Sequence, residues 1–135
     1  MKVRKETDLK TVENAFKLCR ETGMDSLAYF MFGLPGETKE QMLETIKFAK
    51  RIRPDFCHFT VLTPFPETGI WRELLAQGNI SIANAWKKYA ENPTTTFDAP
   101  ICNEYMNKEQ LFEVCNYAYK SFYFRPNYLL KELIK

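Results

Sequence analysis

The sequence has little of what a self-contained catalytic site needs. Its four cysteines, at positions 19, 57, 102 and 115, never stand at CxxC or CxxxC spacing, which excludes a local metal knuckle and a redox motif. The single histidine, His58, has no evident nucleophile partner and shares its face with no carboxylate pair. We therefore expect no catalytic residue and no metal ligand here, and four reduced thiols packed as small apolar groups.

Long apolar runs and an excess of one charge are also missing. No run approaches the ~20 residues that span a bilayer, and the basic start MKVRKETDLK lacks the apolar stretch of a secretion signal. The 19 basic and 17 acidic residues give a net charge of +2, without a basic stripe for nucleic acid or an anionic membrane. These features predict a cytoplasmic protein that binds neither.

Apolar and aromatic residues, in contrast, are plentiful. Of the 135 residues, 45% are hydrophobic and 15% aromatic, with 11 Phe and 7 Tyr. This composition predicts a globular chain with a packed core, because disordered chains are poorer in such residues. The rings have three uses open to them: filling the core, lining a pocket, or covering a surface that meets another domain.

The first half of the chain begins with a predicted helix and strand. Thr7 and Asp8 offer helix N-cap chemistry, an apolar pattern of helical period follows, and Gly23 supplies a stop, which predicts a helix over 8–22. The nearly continuous apolar run 26–32, SLAYFMF, predicts a strand buried on both faces, as in a parallel sheet.

A second helix and strand complete a strand–helix–strand unit. Thr38 and Gln41 form a predicted capping box for a helix that ends at about Arg51. The run 56–62, FCHFTVL, is the second strand. Such a unit predicts parallel strands joined by a right-handed crossover, and two strands alone leave both sheet edges unpaired.

Helices dominate the predicted second half. A helix over 68–77 ends at Gly78, and a helix over about 108–124 precedes a helix start at Pro126 and a turn-rich end. The prolines and threonines between them predict an extended, irregular stretch over about 79–107.

Two segments follow the predicted strands at their carboxyl ends, where α/β sheets bind ligands. Phe32–Thr38, FGLPGET, has two glycines that let a backbone approach a ligand closely, and an ordinary strand-to-helix turn is the alternative. Leu62–Gly69, LTPFPETG, is stiffened by two prolines. Alternation places His58, Thr60 and Leu62 on one face of the second strand, which predicts a partly polar interior.

Taken together, these segments resemble the radical S-adenosylmethionine enzymes. YFMFGLPGET is similar to the fifth-strand motif of that family, especially of the branch with cobalamin-binding members, anaerobic magnesium-protoporphyrin monomethyl ester oxidative cyclases and oxygen-independent coproporphyrinogen oxidases. The following helix, the sixth-strand segment HFTVLTPFPETGIW and the tail AYKSFYFRPNYLLKEL fit in order, so the resemblance covers nearly the whole chain. Glu37 stands one residue later than in the family's pattern.

The resemblance implies a cofactor-binding role for five residues. Met31 would pack on the adenine of S-adenosylmethionine, and Gly33 would leave room for the cofactor. The backbone of Leu62, Thr63 and Pro64 would border the adenine from the last strand. Alternation along the first strand independently predicts that Tyr29, Met31 and Gly33 share one face.

The resemblance also implies what this chain does not do alone. The family holds its 4Fe–4S cluster with a CxxxCxxC loop, and this sequence has no such spacing. We therefore expect S-adenosylmethionine and the 4Fe–4S cluster to serve the parent enzyme, an oxidative cyclase or methyltransferase type whose use of cobalamin stays open. This chain would bind no cofactor and would be catalytically inert, with strands one to four lying upstream of Met1.

The predicted fold is α/β: the last two βα units of a partial TIM-like barrel over 1–78, followed by a mostly helical C-terminal extension over 79–135. The expected partners are the N-terminal half of the same polypeptide, a small-molecule substrate, and further copies of the chain through open sheet edges. One alternative is a standalone α/β binding or scaffolding module without catalysis. Another is an unrelated α/β enzyme that pairs His58 with Glu37 or Glu67.

Overall fold

The structure is a computed structural model that describes residues 8–94 and 97–134. A two-stranded sheet lies among six helices: α1 Leu9–Thr22, β1 Leu27–Phe32, α2 Lys39–Ile52, β2 Phe56–Val61, α3 Gly69–Ala76, α4 Ile80–Glu91, α5 Lys108–Tyr123 and α6 Pro126–Ile134. The strands pair in parallel, from Leu27 opposite Phe56 to Phe32 opposite Val61. The predicted α/β class with parallel strands is confirmed.

Side-chain capping begins α1 and α2 as the sequence predicts, and it also begins α3 and α5. The Asp8 carboxylate accepts from the Thr11 amide at the start of α1, while Thr7 lies outside the described residues. Reciprocal capping boxes begin α2, at Thr38 with Gln41, and α5, at Asn107 with its third helical residue. Each box satisfies two amides that a helix N-terminus otherwise leaves open.

The prediction of irregular structure over 79–107 is wrong in its first half, where α4 forms. The helix lacks the usual start signal, because the Asn79 side chain makes no capping hydrogen bond. Tertiary packing holds it instead: Ile82 is fully buried in a cluster with Leu62, Trp71 and Leu74. The end of the chain is also helical rather than turn-rich, since α6 begins at Pro126 as predicted and continues to Ile134.

The sheet has a covered face and an open face. Helices α2 and α5 pack on one side, over core residues that include Ala28, Phe32, Cys57 and Phe59. The other side, which we call the open face, carries exposed side chains from both strands: Leu27, Tyr29, Met31, Phe56 and His58. The prediction that the first strand is buried on both faces is therefore wrong for the described residues, because helices cover one side only.

Two tyrosines close the outer edge of β2. The Tyr123 hydroxyl accepts from the Cys57 amide at 2.9 Å and donates to its carbonyl at 2.8 Å. The Tyr119 hydroxyl does the same for Phe59, at 3.1 and 3.0 Å. The prediction that both sheet edges lack partners is therefore wrong for β2, whereas β1 pairs with no second strand within the described residues.

One hydrophobic core joins the two predicted segments. It contains Phe32 and Met42 from the first segment together with Leu111 and Phe122 from α5. None of the described helices is long and apolar enough to cross a membrane. The division at residue 78 and the closure of the strands into a partial barrel stay predictions.

Candidate functional site

The loop after β1 is closed by its own glutamate. The Glu37 carboxylate accepts from the amide of Gly33 at 2.8 Å and from that of Leu34 at 3.1 Å, both through Oε2. Burial raises the pKa of Glu37 above its ordinary value, against the opposing effect of these two hydrogen bonds. Glu37 thereby fixes the turn that follows β1.

The C-terminal half braces the same loop from outside. The Asn103 side-chain amide donates to the carbonyl oxygens of Leu34 at 3.0 Å and Glu37 at 2.8 Å. The Glu104 carboxylate accepts from the Gly36 amide at 2.7 Å. Sequence reasoning missed both residues, because they lie more than 60 positions away from their partners. Groups from both halves of the chain thus hold the loop.

The loop after β2 is fixed beside the first. The Leu62 amide donates to the Phe32 carbonyl at 2.7 Å, which extends the strand pairing by one bond past β2. Pro64 is fully buried, and its carbonyl accepts from the Trp86 indole at 2.8 Å. Thr63 between them is partly exposed. The backbone predicted to border a cofactor therefore stands at the carboxyl edge of the sheet, in contact with α4.

Met31 and Gly33 do not share a face. Met31 lies on the open face, 47% exposed and opposite Thr60 in the strand register. Gly33 has φ +81°, and a Cβ there would lie 3.2 Å from Leu111 and 3.5 Å from Val61, on the helix-covered side. The predicted alternation through Gly33 is wrong because this positive φ ends the strand geometry.

His58 is held by aromatic neighbours rather than by a carboxylate. Its Nδ1 lies 3.1 Å from the Tyr119 hydroxyl, and its ring lies 5.5 Å from that of Tyr29. Glu37 binds the backbone of its own loop, and Glu67 pairs with an arginine on α3. The alternative of an acid–base pair between His58 and either glutamate has no support in this geometry.

The three buried thiols, those of Cys57, Cys102 and Cys115, are better suited to packing in a core than to binding a metal. Burial raises the pKa of Cys57 to about 12 and that of Cys102 to about 11, and it also raises the pKa of Cys115. Such thiols stay protonated at neutral pH, whereas a cluster needs thiolates. Across residues 8–94 and 97–134, no three Cys, His, Asp or Glu side chains form a possible metal site. The described residues do not fit an iron–sulfur cluster.

Known proteins similar to this chain are methyltransferases and cyclases by name. An uncharacterized methyltransferase of Pyrococcus horikoshii is 35% identical over 122 residues, which cover 90% of this chain and 25% of that protein. Anaerobic magnesium-protoporphyrin IX monomethyl ester cyclases of Rubrivivax gelatinosus and Cereibacter sphaeroides are 35% and 37% identical over 72 and 73 residues. These matches cover 53% and 54% of this chain, and 13% and 12% of the cyclases.

The chain therefore spans a quarter or less of the length of these relatives. No family model and no solved structure matches it. The methyltransferase match nevertheless extends over most of the chain, beyond the two strands and their loops. Through these relatives the resemblance is confirmed: this chain is related to the radical S-adenosylmethionine enzymes, the family to which the matched methyltransferase and cyclases belong.

Proposed function

We propose that this chain is part of a radical S-adenosylmethionine enzyme of the methyltransferase or oxidative cyclase type. It would supply one wall of the cofactor site, at the carboxyl edge of β1 and β2. The observation that supports this most directly is the open face, whose half-exposed apolar side chains lie on strands that end in two loops held by hydrogen bonds. Ligands of α/β sheets bind at this edge.

The wall has a flat apolar part and a backbone part. Met31 offers a polarizable side chain that is 47% exposed, which suits the face of an adenine ring. The backbone of Leu62, Thr63 and Pro64 stands beside it in the next strand's exit loop, and borders the base in this proposal. Gly33 contributes through its backbone position, because its amide is already bound by Glu37.

The chemistry of the parent enzyme needs groups that this chain does not provide. A 4Fe–4S cluster supplies the electron for S-adenosylmethionine cleavage when bound, and the described residues do not fit it. The cluster would be held by another part of the polypeptide, in a partial barrel that β1 and β2 complete. Alone, this chain would not catalyse the reaction, and cobalamin would bind elsewhere if the parent enzyme uses it.

Methyl NMR of the methionines tests the cofactor wall directly. S-adenosylhomocysteine, a stable analogue, should shift the methyl signal of Met31 at millimolar concentrations, because one wall of a site binds weakly. Met24 is the matched internal control: it is 63% exposed, beyond the opposite end of β1. Met31→Leu and Met24→Leu variants assign the two signals.

Three outcomes decide between the readings. A saturable shift confined to Met31 supports the proposal. Equal shifts of both signals indicate non-specific contact, and no shift of either indicates that the edge does not bind the nucleoside; both contradict it. If neither signal shifts and the chain is folded and monomeric, the standalone binding or scaffolding module is favoured instead.

The coding DNA upstream of Met1 tests the parent enzyme. A reading frame that continues and encodes CxxxCxxC roughly 150 residues earlier is expected, as four further βα units of a barrel require. A stop codon and a ribosome-binding site directly before Met1 would contradict membership in a longer radical enzyme.

A further inference from the structure

His58 has an imidazole that the proposed cofactor wall does not use. It lies on the open face of β2, opposite Tyr29 in the strand register, with an exposed side chain. Its Nδ1 lies 3.1 Å from the Tyr119 hydroxyl, while Nε2 has no hydrogen-bond partner within the described residues. One ring nitrogen is therefore engaged by the protein, and the other is available on the open face.

The hydrogen bonds of Tyr119 decide which ring nitrogen carries the proton. Its hydroxyl accepts from the Phe59 amide at 3.1 Å and donates to the Phe59 carbonyl at 3.0 Å. A phenol has one proton and two lone pairs, so the lone pair that is left faces His58. Nδ1 must then donate to it, and Nε2 of the neutral ring carries no proton.

The opposite arrangement is less favourable. If the Tyr119 proton turned to Nδ1, the Phe59 carbonyl would keep only the thiol of Cys115, with Sγ at 3.4 Å. A thiol is a weak donor, and this carbonyl stands at the closed edge of the sheet. The edge cap therefore favours the Nδ1–H form of His58.

We propose that Tyr119, as the positioning residue, holds His58 in the Nδ1–H form, so that an unprotonated Nε2 stands on the open face as an acceptor for an O–H or N–H donor. The place of this acceptor relative to the cofactor rests on the proposed function: His58 stands opposite Tyr29, two strand residues, roughly 7 Å, further from the carboxyl edge than Met31. The state of the ring does not depend on that function.

Nitrogen-15 NMR of the single histidine measures the state of the ring. In alkaline buffer, where an imidazole is neutral, the Nδ1–H form should exceed the Nε2–H form by about fivefold to tenfold, the ratio that one ordinary hydrogen bond gives. Tyr119→Phe should abolish this excess. Tyr123→Phe is the matched control, since it removes the same cap from Cys57 and does not contact His58.

An Nε2–H majority in the unchanged chain would overturn the proposal, and this measurement needs no variant to fold. Equal changes in the two tyrosine variants would remove Tyr119 as the positioning residue. Phenol, a planar O–H donor, probes the acceptor. It should shift the Nε2 signal saturably in the unchanged chain and at least threefold more weakly in Tyr119→Phe. No shift in the unchanged chain would refute the acceptor role of Nε2. If the Nδ1–H form of His58 predominates while S-adenosylhomocysteine does not shift the methyl signal of Met31, the proposed cofactor wall is wrong and the inference about His58 stands.

Discussion

Glu37 gives the sharpest test of how the loop after β1 is held. Glu37→Ala leaves the amides of Gly33 and Leu34 without their acceptor. Each lost hydrogen bond of this kind costs about 0.5–1.5 kcal/mol, so the free energy of unfolding should fall by roughly 1–3 kcal/mol. This estimate assumes that water replaces the carboxylate only in part, because the side chain is half-buried.

Glu37→Gln tests whether the side-chain oxygen or the negative charge of Glu37 holds the loop, because glutamine keeps an oxygen acceptor and removes the charge. Both hydrogen bonds use Oε2, so the single amide oxygen of glutamine can accept both. Burial raises the pKa of Glu37, so the folded chain takes up a proton in the window above 4.5, the ordinary value. The pH-dependent part of the carboxyl's contribution, which adds to that of the two hydrogen bonds, is therefore complete below pH 4.5 and is lost as the pH rises through the folded-state pKa. At pH 7 the Gln variant should be at least as stable as the unchanged chain.

Urea unfolding followed by tryptophan fluorescence measures these differences. With a slope of about 1–3 kcal/mol per molar, the Ala variant should unfold at a clearly lower urea midpoint. Glu67→Ala is the matched control, since its carboxylate stands in the loop after β2, 81% exposed, and should leave the midpoint unchanged. A Gln variant as unstable as the Ala variant at pH 7 would refute the reasoning, because it would show that the charge holds the loop.

Two further predictions concern the turn after β1 and the buried thiols. Gly33→Ala should lower the free energy of unfolding by roughly 1–3 kcal/mol, because φ is +81° and the new Cβ lies 3.2 Å from Leu111. The same substitution should cost less in a Leu111→Ala background. Equal costs in the two backgrounds would exclude the contact with Leu111 as a cause. Iodoacetamide at pH 8 should label Cys57, Cys102 and Cys115 only as the chain unfolds, because burial raises the pKa of these thiols. Mass spectrometry measures the labelling. Rapid labelling of these thiols in the folded chain would contradict their burial.

Elements governed by local chemistry could be predicted from the sequence, and those governed by distant contacts could not. Asp8 and Thr38 cap the helices that their side chains predict. Helix α4 was missed because its stability comes from Ile82 in a cluster with residues of other elements. Strand burial was overestimated, since apolar residues such as Leu27 stand on the side that the described helices leave open.

The candidate site shows the same division. Its two loops could be located because they follow strands, which the apolar runs mark. Their support could not, because the contacts of Asn103 with Glu37 and of Tyr119 with Phe59 join positions 66 and 60 residues apart. Sequence alternation also placed Gly33 on the wrong face, since it contains no information on a positive φ.

The closed edge of β2 limits how copies of this chain could assemble. Tyr119 and Tyr123 occupy the outward backbone groups of Cys57 and Phe59, which an added strand would need on that side, so within the described residues β1 is the edge from which the sheet can grow. If two copies paired through β1, each would use its single open edge, and the resulting twofold pair would have no edge left for a third. Fibril growth by strand addition needs two open edges per copy, so it would stop at the dimer.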